Sequence, residues 1–162
     1  MRGAQEGHAS DVEALFRAYW RPAYRAAFLV VHDAAAAEDI AQEAFLAAVR
    51  RLHLFDRRRP FGPWLHRIVV NRAIDWSRAR QVRAETGLVD AGAWDDARDV
   101  SDDTVAALAQ LTPEHRAVIV LRHLLGYTPG EIAELLDLPR GTVNSRLRRG
   151  LDTLREAVAR ET

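Results

Sequence analysis

Residues 127–149 read Y-T-P-G-E-I-A-E-L-L-D-L-P-R-G-T-V-N-S-R-L-R-R, a pattern that predicts a short helix, a tight turn and a second helix. Thr128 is suited to cap the first helix, and Pro129 suits its first position. Pro139 disfavours helical angles at Leu138, so the first helix should end there. This arrangement is typical of proteins that place the second helix in the major groove of DNA. An ordinary helical hairpin with a solvated arginine face is the alternative.

The second helix is expected to open at Thr142 and to carry two faces. Its apolar residues recur every three or four positions and should pack inward: Val143, Leu147, Leu151, Leu154 and Val158. Polar and basic side chains point elsewhere, as groups that read base edges must. They are Asn144, Ser145, Arg148 and Arg149.

The composition excludes several classes of protein. The 162 residues contain no cysteine, which excludes a disulfide framework, a thiolate zinc site and a cysteine nucleophile. No apolar run is long enough to span a membrane, and the N-terminal residues lack the apolar core of a signal peptide. We therefore expect a soluble, cytoplasmic protein without membrane insertion.

The net charge of zero hides an uneven distribution along the chain. Residues 1–83 hold 14 arginines and 9 acidic residues, whereas residues 84–110 hold one arginine and 7 acidic residues. Residues 111–162 are close to neutral, with 8 arginines and 7 acidic residues. Basic segments of this kind favour nucleic acid as a partner although the average charge does not.

The apolar periodicity predicts an all-α protein, because no segment alternates as a strand would. The pattern divides it into a helical domain over 1–83, a flexible acidic linker over 84–110 with room for a helical turn before Ala109, and a second helical domain over 111–162. Trp94 supports the alternative of a structured loop in place of a linker, since a tryptophan usually has something to pack against. Helices are expected from about Ser10, with either a kink or the start of a second helix at Pro22, from Asp33 to about Leu54, from Pro60 to about Arg83, and from Thr112.

The helix over residues 37–52 has a second face besides its core face. An exposed leucine there is ringed by polar groups, as in a modest protein interface: Asp39, Gln42, Glu43, Leu46 and Arg50. Spacing alone favours the simpler interpretation of a solvated face with one stray leucine.

The helix over residues 60–80 carries a polar stripe at three- and four-residue steps, formed by Arg67, Asn71, Asp75 and Arg78. These groups could hold nucleic acid, with cations on phosphates and the amide on a base edge. Surface pairs along one helix are the alternative. Trp64 is better suited to the core than to a stacking surface.

Catalytic and metal-binding motifs are absent from the sequence. The histidines are dispersed and match no compact ligand motif, and there is no glycine-rich phosphate loop or nucleophile elbow. We therefore expect no enzymatic activity, no cofactor and no metal.

Taken together, the segments A-E-D-I-A-Q-E-A-F-L-A-A-V, F-G-P-W-L-H-R-I-V-V-N-R-A-I-D and L-T-P-E-H-R-A-V-I-V-L-R, with the helix-turn-helix, resemble the extracytoplasmic-function (ECF) sigma factors of the sigma-70 family. The resemblance covers about residues 10–83 and 109–158. It implies two small domains, sigma region 2 and region 4, joined by the acidic linker.

The resemblance also implies partners and residue roles. Core RNA polymerase would be bound through its clamp helices and flap, promoter DNA through both domains, and an anti-sigma factor is expected. Clamp contacts would fall on Asp39, Gln42, Glu43, Leu46 and Arg50. The −10 element would meet Asn71, with Trp64, Arg67, Arg72, Asp75 and Arg78 around it. The −35 element would meet Asn144, Ser145, Arg148 and Arg149, with Arg140, Thr142 and Arg146 beside them. Asn144 stands where a basic residue is common in the family, which predicts a shifted base preference.

These patterns favour an ECF sigma factor that directs promoter-specific initiation, with two domains that move independently in the free chain. A stand-alone helix-turn-helix regulator is the alternative, and a protein adaptor that does not bind DNA is a third class.

Overall fold

The fold is helical throughout the part of the chain that the computed structural model describes, residues 1–85 and 101–161. Residues 86–100, which include Trp94 and most of the predicted linker, lie outside it. Eight α-helices follow in order: α1 Arg2–Gln5, α2 Ala9–Val31, α3 Ala34–Arg50, α4 Phe61–Glu85, α5 Asp102–Ala109, α6 Pro113–Ile119, α7 Pro129–Leu136 and α8 Arg140–Glu161. A 3-10 turn at Leu52–Leu54 follows α3, and a π-helical turn at Val120–Leu124 follows α6.

The N-terminal half is a bundle of α2, α3 and α4. Small side chains line the buried sides of α2 and α3, which lets the helix backbones approach closely: Ala23, Ala26, Ala27, Ala37, Ala41, Ala44 and Ala48 are all buried. Leu29, Leu65 and Val69 fill the space between them and are fully buried. Burial of each such side chain contributes about 1.5–3 kcal/mol.

Aromatic rings close the end of this bundle where α3 leads into α4. Phe61 makes edge contacts with Tyr19 and Phe55, at centroid distances of 4.9 and 5.7 Å. Phe45 packs against Phe16 at 5.1 Å in the same geometry. Edge-to-face pairs contribute about 0.5–1.5 kcal/mol beyond the area they bury, so the cluster fixes where α4 begins.

The start of α3 is set by Asp33, whose side chain accepts a hydrogen bond of 2.9 Å from the Ala36 amide. Pro22 does not start a second helix, because α2 continues through it to Val31. The single turn of α1 was not predicted. α5 lies within the C-terminal part of the segment expected to be a linker, and it is longer than the one helical turn expected before Ala109.

The C-terminal half packs α8 against α5, α6 and α7. Gly150 marks the closest approach, since a methyl group placed on it would lie 2.9 Å from Ile119 Cγ1. Ile132, Val143 and Leu121 are fully buried in this half.

The two halves pack directly against each other, with α4 against α6 and α7 and α2 against α6. Their buried side chains form one continuous core. The two halves are thus in contact in this structure, and whether they move independently in the free chain stays a prediction. Charge and spacing could not predict the contact, because the residues that make it are far apart in the chain.

Arg116 is the central polar group between the halves. Its guanidinium donates to the carbonyl oxygens of Leu108 and Leu111, both at 2.9 Å, and to that of Val30 at the end of α2. Burial lowers the pKa of Arg116 to about 10, against a smaller opposing effect of Glu114, so the side chain remains charged at neutral pH.

His32 lies next to this arginine and is buried. Burial, and then the positive charge of Arg116, lower the pKa of His32 from its ordinary 6.5 to about 4. The folded chain therefore holds a neutral imidazole where the unfolded chain would bind a proton.

The buried imidazole predicts a pH dependence of stability. The unfolded state binds the additional proton between pH 6.5 and about 4, so stability should be complete above pH 6.5 and fall as the pH drops through this window. Between pH 7.5 and 4, this group should lower the free energy of unfolding of the wild type by roughly 3 kcal/mol. His32→Asn should lack this decrease, and asparagine tolerates the left-handed backbone at this position. Urea unfolding at each pH measures the free energy of unfolding of both proteins. If this free energy depended on pH in the same way in both, the prediction would be contradicted.

Replacement by alanine should affect stability differently at two glycines of α8. Gly141 has open space around its Cβ position, whereas Gly150 faces Ile119. Alanine at either site gains helix propensity, up to about 1 kcal/mol. At Gly150 the added methyl must displace a packed side chain, at about 1–3 kcal/mol. Urea unfolding should therefore show Gly150→Ala to be less stable than Gly141→Ala, and equal stabilities would contradict the close contact.

Candidate nucleic-acid interface

A capping box fixes the start of the helix-turn-helix. Thr128 Oγ1 accepts a hydrogen bond of 3.2 Å from the Glu131 amide, and Glu131 Oε2 accepts one of 3.1 Å from the Thr128 amide. Asp137 adopts the left-handed conformation with φ 53° and ends α7. α8 then begins at Arg140, two residues before the expected Thr142, because Pro139 sits directly ahead of its first turn.

The inward face of α8 is shorter than predicted. Val143 and Leu147 are buried, and Leu151 and Leu154 are half-buried against the core. Val158 was expected to pack inward but is 59% exposed. That prediction is wrong, because Leu154 is the last hydrophobic side chain of α8 that packs against the described core.

The outward face of α8 presents arginines to solvent. Arg140, Asn144, Arg148 and Arg149 are exposed, and Thr142, Ser145 and Arg146 are half-buried beside them. Within the described residues, Arg140, Arg148 and Arg149 form no ion pair with a carboxylate. Burial lowers the pKa of the nearby His115, and the charges of Arg146 and Arg149 lower it further. The first turns of α8 thus form a positive surface with one amide, Asn144, at its centre.

A second polar surface runs along α4. Arg67, Arg72, Asp75 and Arg78 are exposed, and Asn71 is half-buried. Asn71 Nδ2 donates to the Arg67 carbonyl oxygen at 2.8 Å, which holds the amide against its own helix. Arg78 pairs with Glu114 of α6.

Trp64 packs among aromatic rings at the start of α4. Its ring lies 4.9 Å from Phe55 and 5.7 Å from Phe61 between centroids. The geometry therefore agrees with the core interpretation for most of the side chain. The half-buried remainder lines a cleft of about 600 Å³ together with Arg67.

The polar face of α3 lies on the outside of the bundle. Asp39, Gln42, Glu43 and Arg50 are exposed, and Leu46 is 56% exposed among them. Glu43 Oε2 accepts a hydrogen bond of 3.1 Å from Arg72 Nη1, so an ion pair joins this face to the surface of α4.

Sequence reasoning missed the polar residues between the two halves: Arg116, Tyr127 and Glu114. The Tyr127 hydroxyl and His66 Nδ1 share a hydrogen bond of 2.6 Å. Burial, then the charge of Glu131, raise the pKa of Tyr127 to about 12. An arginine within an otherwise apolar helix was the one available signal, since a buried arginine must find acceptors.

Other kinds of site find no support among the described residues. No group of three or more histidine, aspartate or glutamate side chains there could hold a metal ion. None of the helices described is both long enough and apolar enough to cross a bilayer.

Comparison with known proteins gives two matches to sigma-70 family models. Residues 15–83 match sigma-70 region 2, and residues 101–154 match sigma-70 region 4. The chain is 31% identical to the ECF RNA polymerase sigma factor SigW of Bacillus subtilis over 173 aligned positions, which cover 96% of this chain and 90% of SigW. It is 33% identical to the ECF sigma factor SigL of Mycobacterium tuberculosis, over 94% of this chain and 92% of SigL.

Two solved structures share the fold. CnrH, in complex with the cytosolic domain of CnrY, superposes with a TM-score of 0.75 at 26% identity, over 99% of this chain and 96% of CnrH. The sigma factor RpoE of Bartonella quintana, in complex with the anti-sigma factor NepR, gives 0.77 at 22% identity, over 93% and 98% of the two chains.

Proposed function

The chain belongs to the ECF sigma factors of the sigma-70 family and directs promoter-specific transcription initiation, and from this premise we propose which of its residues perform each step. One observation supports the assignment of residues. Three exposed polar faces, on α3, α4 and α8, lie within the two regions that match the family models. Residues 1–83 would act as region 2 and residues 111–162 as region 4, with 84–110 as the acidic connection.

α8 is proposed to read the −35 element. Its exposed arginines suit guanine, whose O6 and N7 accept a bidentate contact, and Asn144 suits adenine. Arg140, Thr142 and Arg146 would hold phosphates and set the register of the helix in the groove. Ser145, Arg148 and Arg149 complete the base-reading side.

α4 is proposed to hold the −10 element once its strands separate. An unstacked base captured near Asn71 would offset part of the free energy of opening the duplex. Arg67, Arg72 and Arg78 would contact the phosphates of that strand. Trp64 supports the site mainly by fixing the start of the helix, and Asp75 would shape the charge around it.

The exposed face of α3 is proposed to bind the clamp helices of core RNA polymerase. Leu46 would be the apolar centre of this contact, and Asp39, Gln42, Glu43 and Arg50 its polar rim. Region 4 would contact the flap. The acidic residues of 84–110 suit a basic channel built for nucleic acid.

We further propose that the chain has no catalytic activity of its own, acts in the cytoplasm and is held by an anti-sigma factor until it is needed. The complex of the Bartonella sigma factor with NepR supports such a partner by analogy. The chain would need core polymerase to act, and the two DNA contacts would then reinforce each other through a high effective concentration.

Reconstitution with purified core polymerase tests the whole proposal. Transcription from a library of random promoters should yield a defined pair of elements. If the chain alone binds an operator tightly and gives no specific transcript with the core enzyme, the chain would instead be a stand-alone helix-turn-helix regulator.

Substitution of one arginine tests the −35 surface. Arg149→Ala should weaken promoter binding by the holoenzyme by about 1–3 kcal/mol and relax the preference at one base position. Arg155→Ala on the same helix is the matched control, because that arginine is exposed and pairs with Asp152 at 3.3 Å. Transcription competition between wild-type and altered −35 elements measures both the loss of promoter binding and the change in base preference. Equal effects of Arg149→Ala and Arg155→Ala would contradict the assignment.

Substitution of the exposed leucine tests the polymerase surface. Leu46→Asp places a charge at the centre of the proposed contact and should weaken core binding by about 2 kcal/mol or more. Leu54→Asp, at a leucine that is 72% exposed outside this face, is the control. Both variants should keep wild-type circular dichroism. Normal assembly of Leu46→Asp with the core in a pull-down would refute the docking face.

A further inference from the structure

The short helix α1 is tied to the segment that leads from α3 into α4. Gln5 Nε2 donates two hydrogen bonds of 3.0 Å, one to the Leu52 carbonyl oxygen and one to that of Phe55. The bonded residues are 47 and 50 positions apart in the chain. α1 is itself held in place, because Ala4 is 4% exposed and packs into the core. Gln5 therefore connects an anchored turn to the end of the 3-10 turn that follows α3.

The carbonyl of Phe55 is one that the 3-10 turn cannot satisfy by itself. The Leu52 oxygen accepts a bond from the Phe55 amide at 3.1 Å, within the turn. The Phe55 oxygen lies beyond the end of that turn, where a backbone acceptor needs a donor from elsewhere. Because the peptide group is planar, a bond to the Phe55 oxygen also fixes the orientation of the Asp56 amide.

The residues after Phe55 form a compact turn that carries three arginines. Asp56 Oδ1 accepts hydrogen bonds from the Arg58 amide at 3.0 Å and from Arg58 Nε at 3.1 Å, and the Arg59 amide donates to the Asp56 carbonyl oxygen at 3.0 Å. Arg57 and Arg59 are exposed, and neither pairs with a carboxylate of the described residues. The orientation of Asp56 therefore determines where these two cations lie.

This turn forms one wall of the cleft beside the α4 surface. Phe55, Asp56 and Arg59 line the cleft of about 600 Å³ together with Trp64 and Arg67 of α4. The ring of Phe55 lies 4.9 Å from that of Trp64 between centroids, so the wall meets α4 through this contact. Arg59 and Arg67 line the same cleft, and the distance between them depends on the position of the wall.

We propose that Gln5 is a positioning residue for recognition of the −10 element, because its two hydrogen bonds hold residues 55–60 as the wall of the cleft that contains Arg67. The inference rests on the assignment of α4 to the −10 strand in the proposed function. Gln5 acts through the backbone of the wall. With the wall fixed, Arg59 and Arg67 present two cations at a set spacing, which favours one path of the strand's phosphates through the cleft. Without the two bonds the wall loosens, and the strand binds in more than one register.

Three variants of the full-length chain test this role. Gln5→Met keeps the length of the side chain and removes both donors. Gln5→Lys restores donors at the same position, since an ammonium group can donate to both carbonyls. Arg2→Met is the matched control on the same turn, because its side chain is 79% exposed and pairs with Glu6 at 3.1 Å. All three should keep wild-type circular dichroism.

Limited digestion of the free chain with trypsin measures how firmly the wall is held. Cleavage after Arg57 and Arg58, quantified by mass spectrometry of the fragments, should be about fivefold faster in Gln5→Met than in wild type, because the lost bonds raise the population of the open loop. Gln5→Lys and Arg2→Met should be cleaved there at the wild-type rate.

Transcription by the reconstituted holoenzyme measures the consequence for recognition. In competition between altered −10 elements, Gln5→Met should lose about fivefold of the wild-type preference. Its preference among altered −35 elements and its assembly with the core should equal those of wild type, and Gln5→Lys should restore the −10 preference. A substitution that only lowered the active fraction would reduce all transcripts equally and change neither preference.

Three results would overturn the role of Gln5. They are unchanged cleavage of Gln5→Met, faster cleavage with a wild-type −10 preference, and an equal loss of preference at the −10 and −35 elements. If circular dichroism shows that Gln5→Met has lost helix, Gln5→Glu, whose carboxylate cannot donate at neutral pH, is measured in the same way with the same expectation. If wild type gives no specific transcript with the core enzyme while Gln5→Met is still cleaved faster, the promoter role and the −10 positioning both fail, and the hold of Gln5 on the wall stands.

Discussion

The guanidinium of Arg116, half-buried between the two halves, is the constraint on which their arrangement depends. It donates to carbonyl oxygens of Leu108 and Leu111, between α5 and α6, and to that of Val30 at the end of α2. A cation that is partly removed from water needs acceptors in place of that water, and these three backbone segments supply them at one point. The neutral state of His32 follows from the same charge and the same burial. The position of α6 over the N-terminal bundle is thereby set.

Each of the long helices divides its faces between packing and recognition. α3 buries its alanines and Phe45 and leaves Leu46 with a polar rim outside. α4 buries Leu65, Val69 and Ala73 and turns its arginines outward. α8 does the same with Val143 and Leu147 inside. The recognition side chains consequently stand on rigid elements whose orientation the core determines.

Local patterns in the sequence predicted most of the secondary structure. The capping box at Thr128, the turn before Pro139 and the start of α3 at Asp33 depend on residues within a few positions of each other, and the structure confirms them. The assignment to the sigma-70 family followed from the order of several such patterns. Whether the candidate residues touch polymerase or DNA stays a prediction, because exposure permits a contact without specifying the partner.

The contact between the halves could not be predicted, since it pairs residues that no local pattern relates. His66 and Tyr127 are 61 positions apart, and Val30 and Arg116 are 86 apart. The inward prediction for Val158 failed for a similar reason: periodicity indicates which side of a helix is apolar but does not tell where its covering partner ends.

The strength of the internal contact has to come from buried groups more than from its ion pair. Arg78 is more than half exposed, and ion pairs near the surface contribute about 0–1 kcal/mol, so the pair with Glu114 cannot hold the halves alone. The part-buried His66–Tyr127 bond and the carbonyl contacts of Arg116 supply the specificity of the packing, and the apolar side chains around them supply most of its free energy. The ion pair has a different role. It places Arg78 of α4 against Glu114 of α6 at the rim of that packing.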